Sequence, residues 1–124
     1  MKKKAVKKYQ RSAFVPTGGV MKRIDVDAIV YIEAHSYKCM FYMDDGTTYE
    51  ISMPMGKAIE YMDEKQIARI HRSYSVNIDQ IDEYYGGMVK MYNGKEIPVG
   101  REYRDAFEDV LIFLGARKRK KKGK

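Results

Sequence analysis

The stretch Lys38-Cys39-Met40-Phe41-Tyr42-Met43-Asp44-Asp45-Gly46-Thr47-Thr48-Tyr49-Glu50-Ile51 alternates apolar and polar residues on both sides of a turn. Cys39, Phe41 and Met43 share one face of the first run; Thr47, Tyr49 and Ile51 share one face of the second. A two-residue Asp45–Gly46 turn sets Phe41 opposite Glu50. A three-residue turn sets Phe41 opposite Tyr49 and Cys39 opposite Ile51, with Gly46 in the left-handed position. Side chains alternate with period two, so only the second register gathers the apolar groups on one face. The spacing therefore predicts a hairpin with a three-residue loop.

The same test applies to Met88–Met91 and Lys95–Val99, which flank Tyr92-Asn93-Gly94. A three-residue loop here sets Val89 opposite Ile97 and gives Gly94 the role of Gly46. Upstream, Ala28–Ala34 is rich in β-branched and aromatic residues and reads as a buried strand. Pro54–Met62 places Met55, Ala58, Ile59 and Met62 at helical spacing. Tyr103–Leu114 repeats that spacing through Ala106, Phe107, Val110 and Leu111, with Gly115 as a stop. Ile112 and Phe113 lie off the stripe and are candidates for self-association. Ser12–Gly19, with Pro16 and Gly18–Gly19 as breakers, reads as a linker. No internal repeat is legible.

The chain has 124 residues, 44% apolar and 33% charged, which fits one folded domain. A lone cysteine, Cys39, forms no internal disulfide and predicts a reducing compartment. No apolar run reaches the roughly 20 residues of a membrane helix, and no apolar signal core follows the Lys-rich start, so a cytoplasmic location is expected. The net charge of +7 is unevenly distributed. Residues 1–11 hold six of the 24 basic residues and residues 117–124 hold seven, leaving 11 between them against all 17 acidic ones. An acidic middle thus lies between two basic ends. Such ends lack apolar groups to bury, are expected to be disordered, and suit a non-specific grip on a polyanion. The expected organisation is a basic arm and linker over 1–19, a folded domain over 20–115 and a basic tail over 116–124.

Two histidines and one cysteine fall short of the four ligands of a structural zinc site. Gly18–Gly19 and Gly86–Gly87 lack the Lys-Ser/Thr that follows a phosphate-cradling loop. Ser73 near His71 is no evidence of a catalytic triad, because triads assemble across a fold. No enzyme, cofactor, metal or small-molecule substrate is expected. The chemistry resides instead in Arg69-Ile70-His71-Arg72-Ser73-Tyr74-Ser75-Val76-Asn77, where Ile70, Tyr74 and Val76 read as inward anchors. Arg69, Arg72, Ser73 and Asn77 supply donors of the kinds that bind phosphates and base edges. A second basic group, Gly100-Arg101-Glu102-Tyr103-Arg104, sits where a strand hands over to a helix.

Tyr31-Ile32-Glu33-Ala34, Asp45-Gly46, Ile70-His71-Arg72-Ser73-Tyr74-Ser75-Val76-Asn77 and Ile97-Pro98-Val99-Gly100-Arg101 stand in the order and spacing of the LytTR DNA-binding domain. The chain resembles that family over about 23–107. The resemblance implies a mostly β, elongated fold of short strands in three small sheets, with one or two short helices and here a C-terminal helix. It also implies a sequence-specific transcription regulator whose inter-strand loops enter major grooves of promoter direct repeats in double-stranded DNA. Carried onto this chain, the first loop is His35-Ser36-Tyr37-Lys38, with Lys38 rather than Tyr37 reaching a base. The second is His71-Arg72-Ser73, where Arg72 makes the contact and His71 orients the turn. Asn77 bonds locally to fix the turn after its strand. The third is Gly100–Arg101, with Arg101 directed at guanine, and Arg104 and Lys57 are candidates for phosphates.

Most family members carry a receiver domain, and about 20 residues before the domain leave no room for one, so a stand-alone regulator is expected. Self-association on DNA and no membrane partner belong to this reading. The rivals are a protein-binding modulator of another regulator of the family, and a non-specific nucleic-acid binder driven by the basic ends.

Overall fold

Cys39 pairs with Ile51 and Phe41 with Tyr49 across a turn that holds Gly46 at φ 90°. Val89 pairs with Ile97, and Gly94 takes φ 93°. Both predicted hairpins are therefore present in the computed structural model, which describes residues 11–115. Along them run β1 (Ser12–Thr17), β2 (Val20–Asp25), β3 (Ile29–His35), β4 (Lys38–Met43), β5 (Thr48–Ile51), α1 (Met55–Ala58), β6 (Ile67–His71), β7 (Tyr74–Asn77), β8 (Ile81–Tyr85), β9 (Met88–Met91), β10 (Glu96–Pro98) and α2 (Arg104–Asp109). The strands form three antiparallel sheets: β1-β2, β5-β4-β3-β7-β6 and β10-β9-β8. The basic ends, 1–10 and 116–124, lie outside the described residues.

The five-stranded sheet separates two cores, and a bulge in β3 divides that strand between them. Ile29 opposes Met43 but Tyr31 opposes Tyr42, so Val30 is one residue too many for the ladder. Ile29 and Ile32 then face one core, and Val30 and Tyr31 the other. The first core gathers Val15, Ile24, Met55 and Ala58 over Cys39 and Phe41. The second packs Val89, Met91, Ile97 and Phe107 over Ala68, Ile70 and Val76.

Three sequence expectations need correction. The stretch taken for a linker, 12–19, forms β1 and the turn of the β1–β2 hairpin, with Gly18 and Gly19 at φ 52° and 90°. Two glycines at positive φ match the twist of a two-residue hairpin turn, and a two-stranded sheet has edges that tolerate Pro16. Val15 and Ile24 are 4% exposed, so the hairpin belongs to the core. The helix expected over 103–114 is shorter. A 3-10 turn, Arg101–Tyr103, leads into α2, which ends at Asp109. Beyond it Leu111 reaches the second core and Phe113 meets Tyr84 at 6.4 Å, while Ile112 and Leu114 point outward. Four consecutive apolar residues cannot share one helical stripe, whereas an extended chain buries every second one. The helix expected over 54–62 is likewise split into α1 and a 3-10 turn, Ile59–Tyr61, with Met55, Ala58 and Met62 buried.

The structure also contains a repeat that the residues conceal. A 3-10 turn, Val26–Ala28, capped by Asp25, leads into β3-β4-β5; another, Ile78–Gln80, capped by Asn77, leads into β8-β9-β10. The second unit has the same bulge, between Ile81 and Glu83, and the same glycine turn. Loop length and backbone conformation repeat while the side chains do not, which is why the sequence shows no period.

Candidate nucleic-acid interface

Three turns meet at one end of the five-stranded sheet. β3 and β4 are joined by Ser36 and Tyr37, with Ser36 at φ 63° and Tyr37 82% exposed. β6 and β7 are joined by Arg72 and Ser73, and the Ala34 N–H donates to the Ser73 carbonyl at 2.8 Å, tying this turn to β3. On the far side of β6, the Gly100 N–H donates to the Ile70 carbonyl at 2.7 Å and places exposed Arg101 beside the end of that strand. Strands lie about 4.8 Å apart, so the first two turns are centred on the order of 10 Å from one another, with Arg101 beyond them. A Cβ on Gly100 would stand 3.1 Å from a Tyr103 ring carbon, so a larger residue here would have to displace that ring by a few tenths of an ångström.

The second turn is held from within. The Ser73 N–H donates to His71 Nδ1 at 3.0 Å, and the His71 ring packs against Tyr74 at 5.7 Å. His71 thus orients the turn, as expected. Arg69 lies on β6 with its guanidinium directed at the Arg72 turn. Its Nε donates to the His71 carbonyl at 3.3 Å, another of its nitrogens donates to the Arg72 carbonyl, and the group lies 5.9 Å from the Tyr103 ring centre. Arg69 therefore clasps the Arg72 turn to the segment after Arg101, a role that its reading as a DNA donor missed. Arg72 itself is exposed.

Lys38 is exposed, and its Nζ lies 2.9 Å from Glu50 Oε2 on β5. The Lys38 ammonium holds the Glu50 carboxyl below the usual carboxylate range. Exposed pairs of this kind exchange readily. Glu50→Gln is expected to tighten duplex DNA binding on the order of threefold by freeing Lys38 and removing one negative charge. The gain should shrink as salt rises; an unchanged affinity in a low-salt titration would mean that Lys38 contributes nothing there.

Arg104 is placed differently from the others. It is half-buried, its Nε has no hydrogen-bond partner, and a guanidinium nitrogen stands 2.9 Å from where a Gly87 Cβ would be. It packs on the Gly86–Gly87 turn. That turn, with both glycines at positive φ, accepts the Val99 N–H on the Gly87 carbonyl at 2.8 Å, which brings it next to Gly100. It is a fourth turn that the sequence reading left out of the site. Lys57 is exposed on α1, whose Gly56 abuts Arg69.

Asn77 lies at the other end of β7, fully buried. Its Nδ2 donates to the carbonyls of Asp27 and Ile29 at 3.1 and 2.8 Å, and its Oδ1 accepts from the Asp79 N–H at 3.0 Å. It fixes the following turn, as expected, and also binds the start of β3. Behind the row of turns, Glu33 accepts from the hydroxyls of Tyr42 and Tyr74 at 3.1 and 3.3 Å, and Tyr31 stacks on Tyr42 at 4.3 Å. Burial, aided by Tyr42 and Glu33, pushes the Tyr31 hydroxyl up to about 12. Burial also pushes the Cys39 thiol up to about 11, so it is a poor nucleophile.

Among the described residues no group of three or more His, Cys, Asp or Glu is placed to hold a metal ion, and no helix is long and apolar enough to cross a membrane. The LytTr DNA-binding domain family model matches residues 19–112. A solved LytTr DNA-binding domain from Bacillus cereus superposes with a TM-score of 0.73 at 21% identity, covering 84% of this chain and 99% of that one. No curated protein matches the chain significantly.

Proposed function

Since the chain belongs to the LytTr DNA-binding domain family, and is on that footing a DNA-binding transcription regulator and not of an enzymatic family, we propose that it reads promoter DNA with this row of turns. Arg72 and Arg101 reach base edges in the major groove, and Tyr37, Lys38 and Ser73 contact the same duplex. Direct repeats in bacterial promoters are the target, read in the cytoplasm. The observation that supports this reading is the pair of exposed arginines set on either side of β6, held by the Gly100–Ile70 hydrogen bond and by the Arg69 clasp. A side chain fixed on a rigid strand end loses little freedom when it meets a base, and arginine donates in a fork to guanine O6 and N7. The acidic middle of the sequence opposes approach to phosphate, and the basic ends offset that.

The test is selection of bound duplexes from a random pool at near-physiological salt, with the full chain and with a chain lacking residues 1–11 and 117–124. The expected result is one enriched repeated motif from both, with a shallower salt dependence for the shortened chain. Tight binding without enrichment, lost on shortening, would assign the binding to the basic ends. No binding by either chain would overturn the proposal.

A further inference from the structure

A groove of about 610 Å³ runs between α2 and the α1 region, along β6. Ile59, Met62, Ile67, Phe107 and Val110 give it an apolar lining, and Glu60 and Glu64, both exposed, stand on its rim. β6 is an outer strand of the five-stranded sheet, and its outer edge is partly occupied: the Ile67 N–H donates to the Asp63 carbonyl at 2.9 Å and the Ile70 carbonyl accepts from Gly100 at 2.7 Å. The groove thus offers apolar contact and negative charge.

One segment of the chain carries the complement of both. After α2 the chain continues through Leu111-Ile112-Phe113-Leu114 without helix or strand partner. Leu111 is half-buried against the second core and Phe113 packs on Tyr84, while Ile112 and Leu114 are 85% and 88% exposed. A stretch anchored by alternate residues presents the other two as an unused apolar edge. The sequence that follows, Ala116-Arg117-Lys118-Arg119-Lys120-Lys121-Lys122, is strongly basic.

We propose that this groove receives the C-terminal segment of a second copy, with Ile112 and Leu114 on the apolar lining and the basic run beside Glu60 and Glu64. The occupant is another copy because Leu111 and Phe113 are anchored elsewhere on their own chain, leaving Ile112 and Leu114 in solvent rather than in their own groove. The contact is head-to-tail, so successive copies keep one orientation. That orientation suits the direct repeats proposed above, but the inference does not rest on them, and its test needs no DNA.

Cys39 is buried, so a cysteine added at the surface is the reactive thiol of its variant. Glu60→Cys and Ile112→Cys, each in the full chain, are mixed and treated with a short bis-maleimide. A cross-linked dimer is expected in the mixture and in neither variant alone, and Leu114→Asp in the Ile112→Cys chain should weaken it about tenfold. No cross-link in the mixture, or equal cross-linking of either variant with itself, overturns the proposal. The double variant Glu60→Cys/Ile112→Cys separates the remaining case: a bridge within one chain, with none between chains, would make the segment's own groove its site and would also overturn it.

Discussion

Arg72→Ala combined with Arg101→Ala is expected to lower affinity for the selected duplex by about a thousandfold, while affinity for unrelated DNA falls far less. A well-placed arginine on a guanine is worth about 1–3 kcal/mol of discrimination, and each 1.4 kcal/mol is tenfold. Non-specific affinity depends instead on phosphates neutralised, and most of the chain's positive charge lies elsewhere, in its two basic ends. The check is a pair of titrations at one fixed salt, on selected and scrambled duplexes. Equal losses on both would show that these arginines act as charges only. Arg69→Gln belongs to the same experiment. It removes the fork that holds the His71 and Arg72 carbonyls, so it should reduce discrimination with less effect on scrambled DNA.

Asn77→Ala should destabilise the fold by about 3 kcal/mol, measured as a shift of the urea unfolding midpoint. Truncation leaves the carbonyls of Asp27 and Ile29 without their Nδ2 donor and the Asp79 N–H without its acceptor, in a residue 0% exposed. Asn77→Asp tests the cause. It keeps the volume and the acceptor for Asp79, but turns an oxygen toward two carbonyl oxygens. A comparable or larger loss is expected. A much smaller one would assign the effect of alanine to the cavity rather than to the hydrogen bonds.

The hairpins were legible because register is a local property. Once Phe41 must share a face with Tyr49, and Val89 with Ile97, loop length and glycine position follow. The positions of Arg72, Arg101 and His71 could be read because each sits on or beside a turn whose neighbours in sequence are also its neighbours in space. Arg69 and Arg104 could not. Both look like surface arginines in the sequence, yet one is turned onto main-chain carbonyls and the other onto Gly87. The β1–β2 hairpin was hidden for a related reason: Pro16 and Gly18–Gly19 break structure by local preference, and only the burial of Val15 and Ile24 against β4 and α1 residues makes a strand pair of the stretch.

By itself the sequence determined the strand-rich character, the two glycine-closed hairpins, the uneven distribution of charge and the family motifs, all of which depend on residues close along the chain. The tertiary structure decided what lies beside the end of β6. It brought Gly100 to Ile70, from 30 positions away, and it turned Arg69 onto the Arg72 turn. It also set an acidic-rimmed groove along β6, between α2 and the α1 region. Those relations depend on the packing of two cores against opposite faces of one sheet, and no local preference encodes which strand end that packing sets beside another.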